Sequence, residues 1–341
     1  MGFKICLIGC GRHSRHVHGP SLRHYVRDEP DAFLAGVCDL KLAATEAFRR
    51  EFGFARAYTD VEAMIAAEQP HAVIVVLPPP AVTTVCRALL EKGMPVLIEK
   101  PPALTDAGLQ DLIAWARAGG APTQVAFNRR YTPLFVQTLQ DVTRHTTPED
   151  VFQIDYEMVR WGRRDTDFST TAIHALDTVL FLARSPYERV WIRYHELPEY
   201  GAGVANIELS GVCESGTRIR ISFQPMAGLV TERATIHALN HTWSIDVPVW
   251  SAGGQFRHWK DDTLVAENST NIVGSNCELH EASGFAAEIR AFFTAVQTGE
   301  TPTPSLAEAI QPVVLMEAIR QRTTEVDFTL RQYIAHHQIT A

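Results

Sequence analysis

The feature that most constrains this chain comes first in it. An apolar run, Phe3–Ile8, breaks at Gly9-Cys10-Gly11-Arg12-His13-Ser14 and passes into a segment of helical composition. A buried strand that must turn within a few residues into a helix reads as the first βα unit of a parallel sheet. The two glycines let the backbone turn sharply and let a pyrophosphate come close, where the free N–H groups and dipole of the helix N-terminus stabilise its charge. Ser14 takes the third small position. It keeps the helix near the sheet, and its hydroxyl offers a further donor to phosphate. Gly9, Cys10, Gly11, Arg12, His13 and Ser14 are therefore the expected cradle of a dinucleotide.

A second apolar run, 33–38, ends at Asp39, thirty positions after Gly9. That is later than the usual spacing of about twenty, but still at a strand end. A carboxylate there accepts both ribose hydroxyls of NAD and repels the extra phosphate of NADP. Lys41 softens that repulsion, so NAD is expected and NADP is the alternative. Helical and strand patterns then alternate: helices over 42–52, 61–68 and 81–92, strands over 71–76 and 96–99. Parallel strands joined by helices make a doubly wound sheet. Leu77-Pro78-Pro79-Pro80 ends one of these strands and places Leu77 and Pro78 at the same edge.

The next strand ends in Glu99-Lys100-Pro101-Pro102. Proline cannot donate to a ladder and restricts the residue before it to extended backbone, so the strand stops with Lys100 beyond its carboxyl end. Ligands of open parallel sheets bind at that edge. Seen alone, a Lys-Pro pair is an ordinary strand end; after a dinucleotide turn it is a candidate proton carrier, with Glu99 beside it.

At 341 residues the chain exceeds one ordinary core. Two domains are expected, 1–127 and 128–341. The first is an N-terminal Rossmann domain, α/β with a doubly wound parallel sheet. A further helix with Leu109, Leu112, Ile113 and Ala116 on one face leads through Gly119-Gly120 to a strand over 124–127, and the rhythm changes after Asn128. In 151–160, Phe152, Ile154, Tyr156 and Met158 alternate with polar residues, and similar alternation recurs at 190–194, 205–209, 219–223 and 243–247. The second domain is thus α+β with a large open, mainly antiparallel sheet, Ser215-Gly216 turning between two strands. Phe285, Ile289, Phe292, Phe293 and Val296 mark a helix capped by Gly299, and Ser305-x-x-Glu308 is a capping box. The stretch 248–276, with Trp250, His258 and Trp259, reads as sheet-edge loops or strands.

A net charge of −8 without any basic run argues against a nucleic-acid partner. No apolar stretch reaches membrane-spanning length, the first residues lack a signal-peptide pattern, and the six cysteines lack zinc spacing, which suits reduced thiols in the cytoplasm. His13, His16, His18 and His24 invite a metal reading, two of their spacings suiting a helix face. They sit on the helix that serves the pyrophosphate, and no nearby carboxylate or cysteine completes a site, so no metal is assigned.

Gly9-x-Gly11-x-x-Ser14, Asp39, Leu77-Pro78-Pro79, Glu99-Lys100-Pro101 and Ile173-His174-Ala175-Leu176-Asp177, in this order, resemble the Gfo/Idh/MocA family of dinucleotide-dependent sugar and cyclitol oxidoreductases. Asn128-Arg129-Arg130-Tyr131 and Met316-Glu317-Ala318-Ile319 extend the likeness over nearly the whole chain. The resemblance implies that Lys100 and His174 face the substrate near the nicotinamide, and that the second sheet serves homodimer or homotetramer contacts. Asp177, three residues after His174, holds the helix or orients the histidine. Substrate-side candidates are Lys100, Arg130, Arg163, Arg164, Thr170, His174 and Asp177, with Trp161 packing on an apolar ring face and a small polyol or sugar as partner.

Three positions depart from the family. Thr170 and Ala172 stand where dehydrogenase members carry aspartate and glycine, and Val82 stands where many carry histidine. Either Lys100 and His174 suffice, or Asp165 or Asp167 substitutes, or the substrate brings its own charge. The alternatives to a sugar or cyclitol dehydrogenase are a dinucleotide-binding sensor without turnover, and a reductase of another C=O or C=N substrate.

Overall fold

The computed structural model describes residues 2–165, 167–247, 253–270 and 278–330. In chain order its elements are β1 (Phe3–Ile8), α1 (Gly19–Asp28), β2 (Ala32–Cys38), α2 (Leu42–Phe52), β3 (Arg56–Tyr58), α3 (Val61–Glu68), β4 (Ala72–Val75), α4 (Pro79–Leu90), β5 (Val96–Glu99), α5 (Asp106–Gly119), β6 (Thr123–Ala126), α6 (Pro133–His145), β7 (Val151–Val159), α7 (Ser169–Ala183), β8 (Tyr187–Glu196), β9 (Ala205–Cys213), β10 (Arg218–Gln224), β11 (Thr231–Ala238), β12 (His241–Asp246), β13 (Gly254–Lys260), β14 (Thr263–Thr270), α8 (Leu279–Ala282), α9 (Phe285–Thr298), α10 (Ile310–Arg320) and β15 (Glu325–Asp327). They pack as two compact units, Met1–Thr132 with Glu278–Val313, and Pro133–Cys277 with Val314–Ala341.

In the first unit β1 to β6 form a wholly parallel sheet in the order β3-β2-β1-β4-β5-β6. Its central strands are nearly continuous apolar runs because helices cover both faces; Ile5, Leu7, Ile74 and Leu97 are all fully buried. The chain runs outward from β1 to β3, then returns to lay β4 on the other side of β1. The strand order therefore reverses between β1 and β4, where an open sheet leaves a crevice beyond its carboxyl ends.

Residues 278–313 return to this unit. Ile289, Phe292 and Phe293 of α9 join the apolar cluster of Phe3, Ile5 and Leu7. Phe293 meets the rings of Phe3 at 5.4 Å and Tyr25 at 4.8 Å. Edge strand β6 gains a partner there too, Val125 N–H donating to the Pro304 carbonyl at 2.8 Å. The Ser305–Glu308 box forms, with Ser305 N–H donating to Glu308 Oε2 at 2.7 Å, although regular helix starts only at Ile310.

The second unit holds a nine-stranded sheet in the order β14-β13-β12-β11-β7-β10-β9-β8-β15. All its pairings are antiparallel except β7 with β10. In β7 the expected alternation buries Ile154, Tyr156 and Met158, but Phe152 is 54% exposed. The register explains it: Gln153 pairs with His237 and Val151 with Ala238, so Phe152 is the extra residue of a bulge and turns outward. The 248–276 stretch supplies β13 and β14. They are joined by Asp261-Asp262, both left-handed at φ 50° and 61°, a turn usually spelled Asn-Gly or Asp-Gly. Residues 248–252 and 271–276, Trp250 among them, and Cys277 lie outside the described residues. The five described cysteines are free and buried. Helix α7 lies against β7 and β10, and α6 against β12, β13 and β14.

Truncating Phe293, which is fully buried, to Ala is expected to cost about 3–5 kcal/mol. The same change at Phe152 should stay within about 1 kcal/mol. Denaturant midpoints of the two variants check this; equal losses would contradict the assignment of Phe293 to the first core.

Candidate active site

The two glycines after β1 serve different ends. Gly9 has φ +102°, and a Cβ there would collide with the Val76 carbonyl, so the turn lies flat against the end of β4 and only glycine fits. Around Gly11 no atom lies within 4 Å of where a Cβ would stand, and the residue is exposed. The protein's own packing makes no demand for glycine there. The open space above the turn is what an approaching pyrophosphate requires.

Asp39 ties the ends of β1 and β2 together, Oδ2 accepting from Cys10 N–H at 2.7 Å and Oδ1 from Lys41 N–H at 3.3 Å. Burial pushes the Cys10 thiol up to about 12, so this residue offers its backbone rather than a thiolate. Ser14 differs from expectation. Its hydroxyl donates to the Gly9 carbonyl at 2.6 Å and the side chain is fully buried, so it closes the turn instead of presenting a donor to phosphate. Arg12 and His13 are exposed at the rim, with Leu77 half-buried and Pro78 exposed beside them.

Between the glycine turn and α1, residues Ser14–His18 form a π turn, Gly19 N–H donating to the Ser14 carbonyl. The wider turn brings His13 and His18 to one side. Both Nε2 atoms reach the same oxygen, Oε1 of Glu99, at 2.8 and 3.0 Å. Glu99 closes β5 and is 6% exposed. Burial opposes its ionisation, but the pull of His13 and the hydrogen bonds from His13 and His18 outweigh that and hold the carboxyl well below the usual range. Burial also lowers the pKa of His18 against the pull of Glu99, so His18 acts as a neutral donor. Its Nδ1 has no hydrogen-bond partner among the described residues. Lys100 follows directly, half-buried and joined to Pro101 by a cis peptide.

The fold thus supplies carboxylates that local sequence did not. Glu99 stands against His13 and His18, and Glu281 Oε1 lies 2.9 Å from His24 Nδ1. His16 instead bonds the Arg12 carbonyl at 2.7 Å. Sequence reasoning missed the Glu99 contact because a five-residue separation does not share a face in an ordinary α-helix; only the π turn makes it do so. Arg130, in the short turn Asn128–Tyr131, pairs with Glu308 at 3.0 Å and is 10% exposed, so its charge is engaged within its own unit.

In the second unit α7 carries Thr170, His174 and Asp177. His174 and Asp177 are buried and three residues apart, hence on one helix face. Thr178 Oγ1 donates to the His174 carbonyl at 2.7 Å. Both acids considered as substitutes for the missing aspartate are occupied. Asp165 accepts from Arg163 Nε at 2.8 Å, and Arg163 also donates to Thr171 Oγ1 at 3.0 Å. Asp167 accepts from Ser169 N–H at 3.1 Å at the start of α7 and faces Arg320 Nε at 3.5 Å. Arg164 and Trp161 are exposed, and Val82 is fully buried in α4.

An open glycine cradle at the switch point of a doubly wound sheet, with an acid closing the second strand, defines a dinucleotide-binding domain. Residues 3–127 match the model of the Gfo/Idh/MocA family, an oxidoreductase family with an NAD-binding Rossmann fold. It is 33% identical over 132 residues to D-apiose dehydrogenase of Paraburkholderia graminis, covering 38% of this chain and 34% of that protein. It is 29% identical over 140 residues to D-glucoside 3-dehydrogenase of Escherichia coli, covering 41% and 39%. The chain therefore aligns with less than half the length of these relatives. Over 98% of this chain and 100% of the other, the fold matches a Gfo/Idh/MocA family oxidoreductase from Vibrio cholerae, with TM-score 0.78 and 21% identity.

Two outcomes follow from the cradle. Gly11→Ala should leave thermal stability within about 0.5 kcal/mol of wild type while weakening NAD binding at least about tenfold, because its methyl enters only the open space. Calorimetry with and without NAD separates the two effects, and undiminished binding would contradict the cradle. Glu99→Gln should cost about 1–3 kcal/mol at neutral pH. Because the native pKa of Glu99 is depressed, its contribution is full above the ordinary value of 4.5 and declines as pH falls below it. The stability gap between wild type and variant should therefore narrow in acid; a gap that widens would contradict the sign.

Proposed function

We propose that the chain is an NAD-dependent dehydrogenase that moves a hydride between the nicotinamide and a secondary alcohol, or its ketone, of a sugar, cyclitol or sugar derivative. The observation that carries this reading is the carboxyl edge of the first sheet. The open cradle at Gly11 after β1, Asp39 at the end of β2 and Lys100 after β5 all stand on that one edge. The sugar dehydrogenases among the relatives support the substrate class.

When bound, the dinucleotide supplies the hydride acceptor or donor. The backbone of residues 9–14 holds its pyrophosphate and Asp39 its ribose hydroxyls; Lys41 keeps NADP as the alternative. Lys100 takes the proton of the substrate hydroxyl as hydride leaves carbon, and returns it in the reverse direction. Partial desolvation and a neighbouring cationic ring make an ammonium easier to deprotonate, which general acid/base work requires. His174 hydrogen-bonds the same oxygen or its neighbour and shares the proton, with Asp177 orienting it. Arg163 is engaged with Asp165, so Arg164 is the arginine offered to an acidic or polyhydroxylated substrate. The second sheet serves contacts between copies, as a homodimer or homotetramer, and the protein works in the cytoplasm. Among the described residues no helix is long and apolar enough to cross a membrane.

One observation favours a second reading, a dinucleotide-binding regulator. Thr170 stands where the family resemblance expects an aspartate, and Asp165 and Asp167 are both occupied. NADH formation over a panel of sugars and inositols decides between them. With a true substrate, Lys100→Ala should lower turnover by about 10²–10⁴-fold and leave NAD affinity nearly unchanged. Tight NAD binding without turnover on any polyol would reject the dehydrogenase in favour of the regulator.

A further inference from the structure

The second unit carries an imidazole cluster that the proposed reaction does not use. The last turn of α6 contributes Asp141 and His145, β12 begins with His241, and β13 carries His258, which is 2% exposed. Fully buried Trp243 stacks on His258 at 4.7 Å and on His241 at 5.3 Å.

The hydrogen bonds fix which nitrogens carry lone pairs. His258 Nδ1 lies 2.7 Å from Asp141 Oδ2, which also accepts from Trp243 Nε1 at 2.8 Å. A carboxylate only accepts, so Nδ1 carries the proton and the Nε2 lone pair accepts from His241 Nδ1–H, 2.8 Å away; to ligate an ion through Nδ1, His241 moves that proton to its Nε2. His145 Nδ1 lies 2.8 Å from the Asp141 carbonyl, so its Nε2 is likewise the lone-pair nitrogen. Metal-bound histidines are held in this way, the second nitrogen donating to a carboxylate or a carbonyl.

The spacing agrees. The ring centres of His145, His241 and His258 stand 5.0, 5.1 and 5.0 Å from one another. Imidazoles on a tetrahedral ion at about 2.0–2.1 Å place their centres about 5 Å apart. The His241–His258 nitrogens would open to about 3.3 Å around an ion, a shift that small side-chain rotations supply.

We infer that His145, His241 and His258 bind one divalent transition-metal ion of the zinc type, with Asp141 orienting His258 from behind. The ion fastens the end of α6 to strands β12 and β13. Imidazole donors favour zinc, cobalt, nickel and copper over magnesium and calcium.

The test uses the full chain, untagged and stripped with chelator, titrated with Zn²⁺ by calorimetry and then with Co²⁺ by visible absorption. One ion per chain should bind at this site, Co²⁺ should give the bands of a four-coordinate centre, and Zn²⁺ should raise the thermal midpoint. His145, 31% exposed, can be removed without disturbing the core. His145→Ala should abolish the midpoint rise and weaken binding at least tenfold, and Asp141→Asn should weaken it about 10–100-fold. The ion lost in His145→Ala should be retained in His13→Ala and His24→Ala, which alter the other histidine–carboxylate groups, His13/His18/Glu99 and His24/His280/Glu281. No saturable Zn²⁺ binding, or binding undiminished in His145→Ala, would overturn the site and leave the cluster as stacked packing.

Discussion

The first unit depends on one buried carboxylate. Glu99 lies at the end of β5 with 6% of its side chain exposed, where an unpaired charge would cost several kcal/mol. His18 meets it as a buried neutral donor and His13 as a rim donor, both on the same oxygen. The contact ties the end of β5 to the turn that follows β1, two strands away in the sheet. Lys100 is the next residue, so the position of the proposed proton carrier is set by a bond its neighbour makes to the cofactor turn.

Around that contact the glycine turn divides its work. Gly9 is demanded by the Val76 carbonyl, and Gly11 by no atom near its Cβ position, so the first serves the fold and the second leaves room for the proposed dinucleotide. Asp39, accepting from Cys10 N–H, holds the turn in shape while keeping a carboxylate at the end of β2. Ser14 belongs with the fold, its hydroxyl closing back on Gly9.

Features written in consecutive residues were legible in the sequence. The strand–turn–helix at Gly9, the acid at Asp39, the stop at Pro101 and the period of two in β8, β9, β10 and β12 each depend on local chemistry. What was hidden is non-local or misspelled. The return of residues 278–313 depends on packing across the chain, and the β13–β14 hairpin turns on two aspartates in left-handed backbone where glycine is usual. Phe152 obeys the alternation and is still exposed, because the bulge is set by the partner strand. The histidines near the N-terminus lacked a carboxylate within local sequence, and the fold brought Glu99 to them from 81 residues beyond His18.

The central claim is that the Gly9–Ser14 cradle seats a dinucleotide whose reactive end meets Lys100. A crystal of the protein soaked with NAD and a mixture of polyols tests it most directly. The account predicts pyrophosphate density over Gly11, ribose hydroxyls on Asp39 and a polyol oxygen within hydrogen-bonding distance of Lys100 Nζ. Dinucleotide seated elsewhere, or a polyol bound with Lys100 turned away from it, would contradict it.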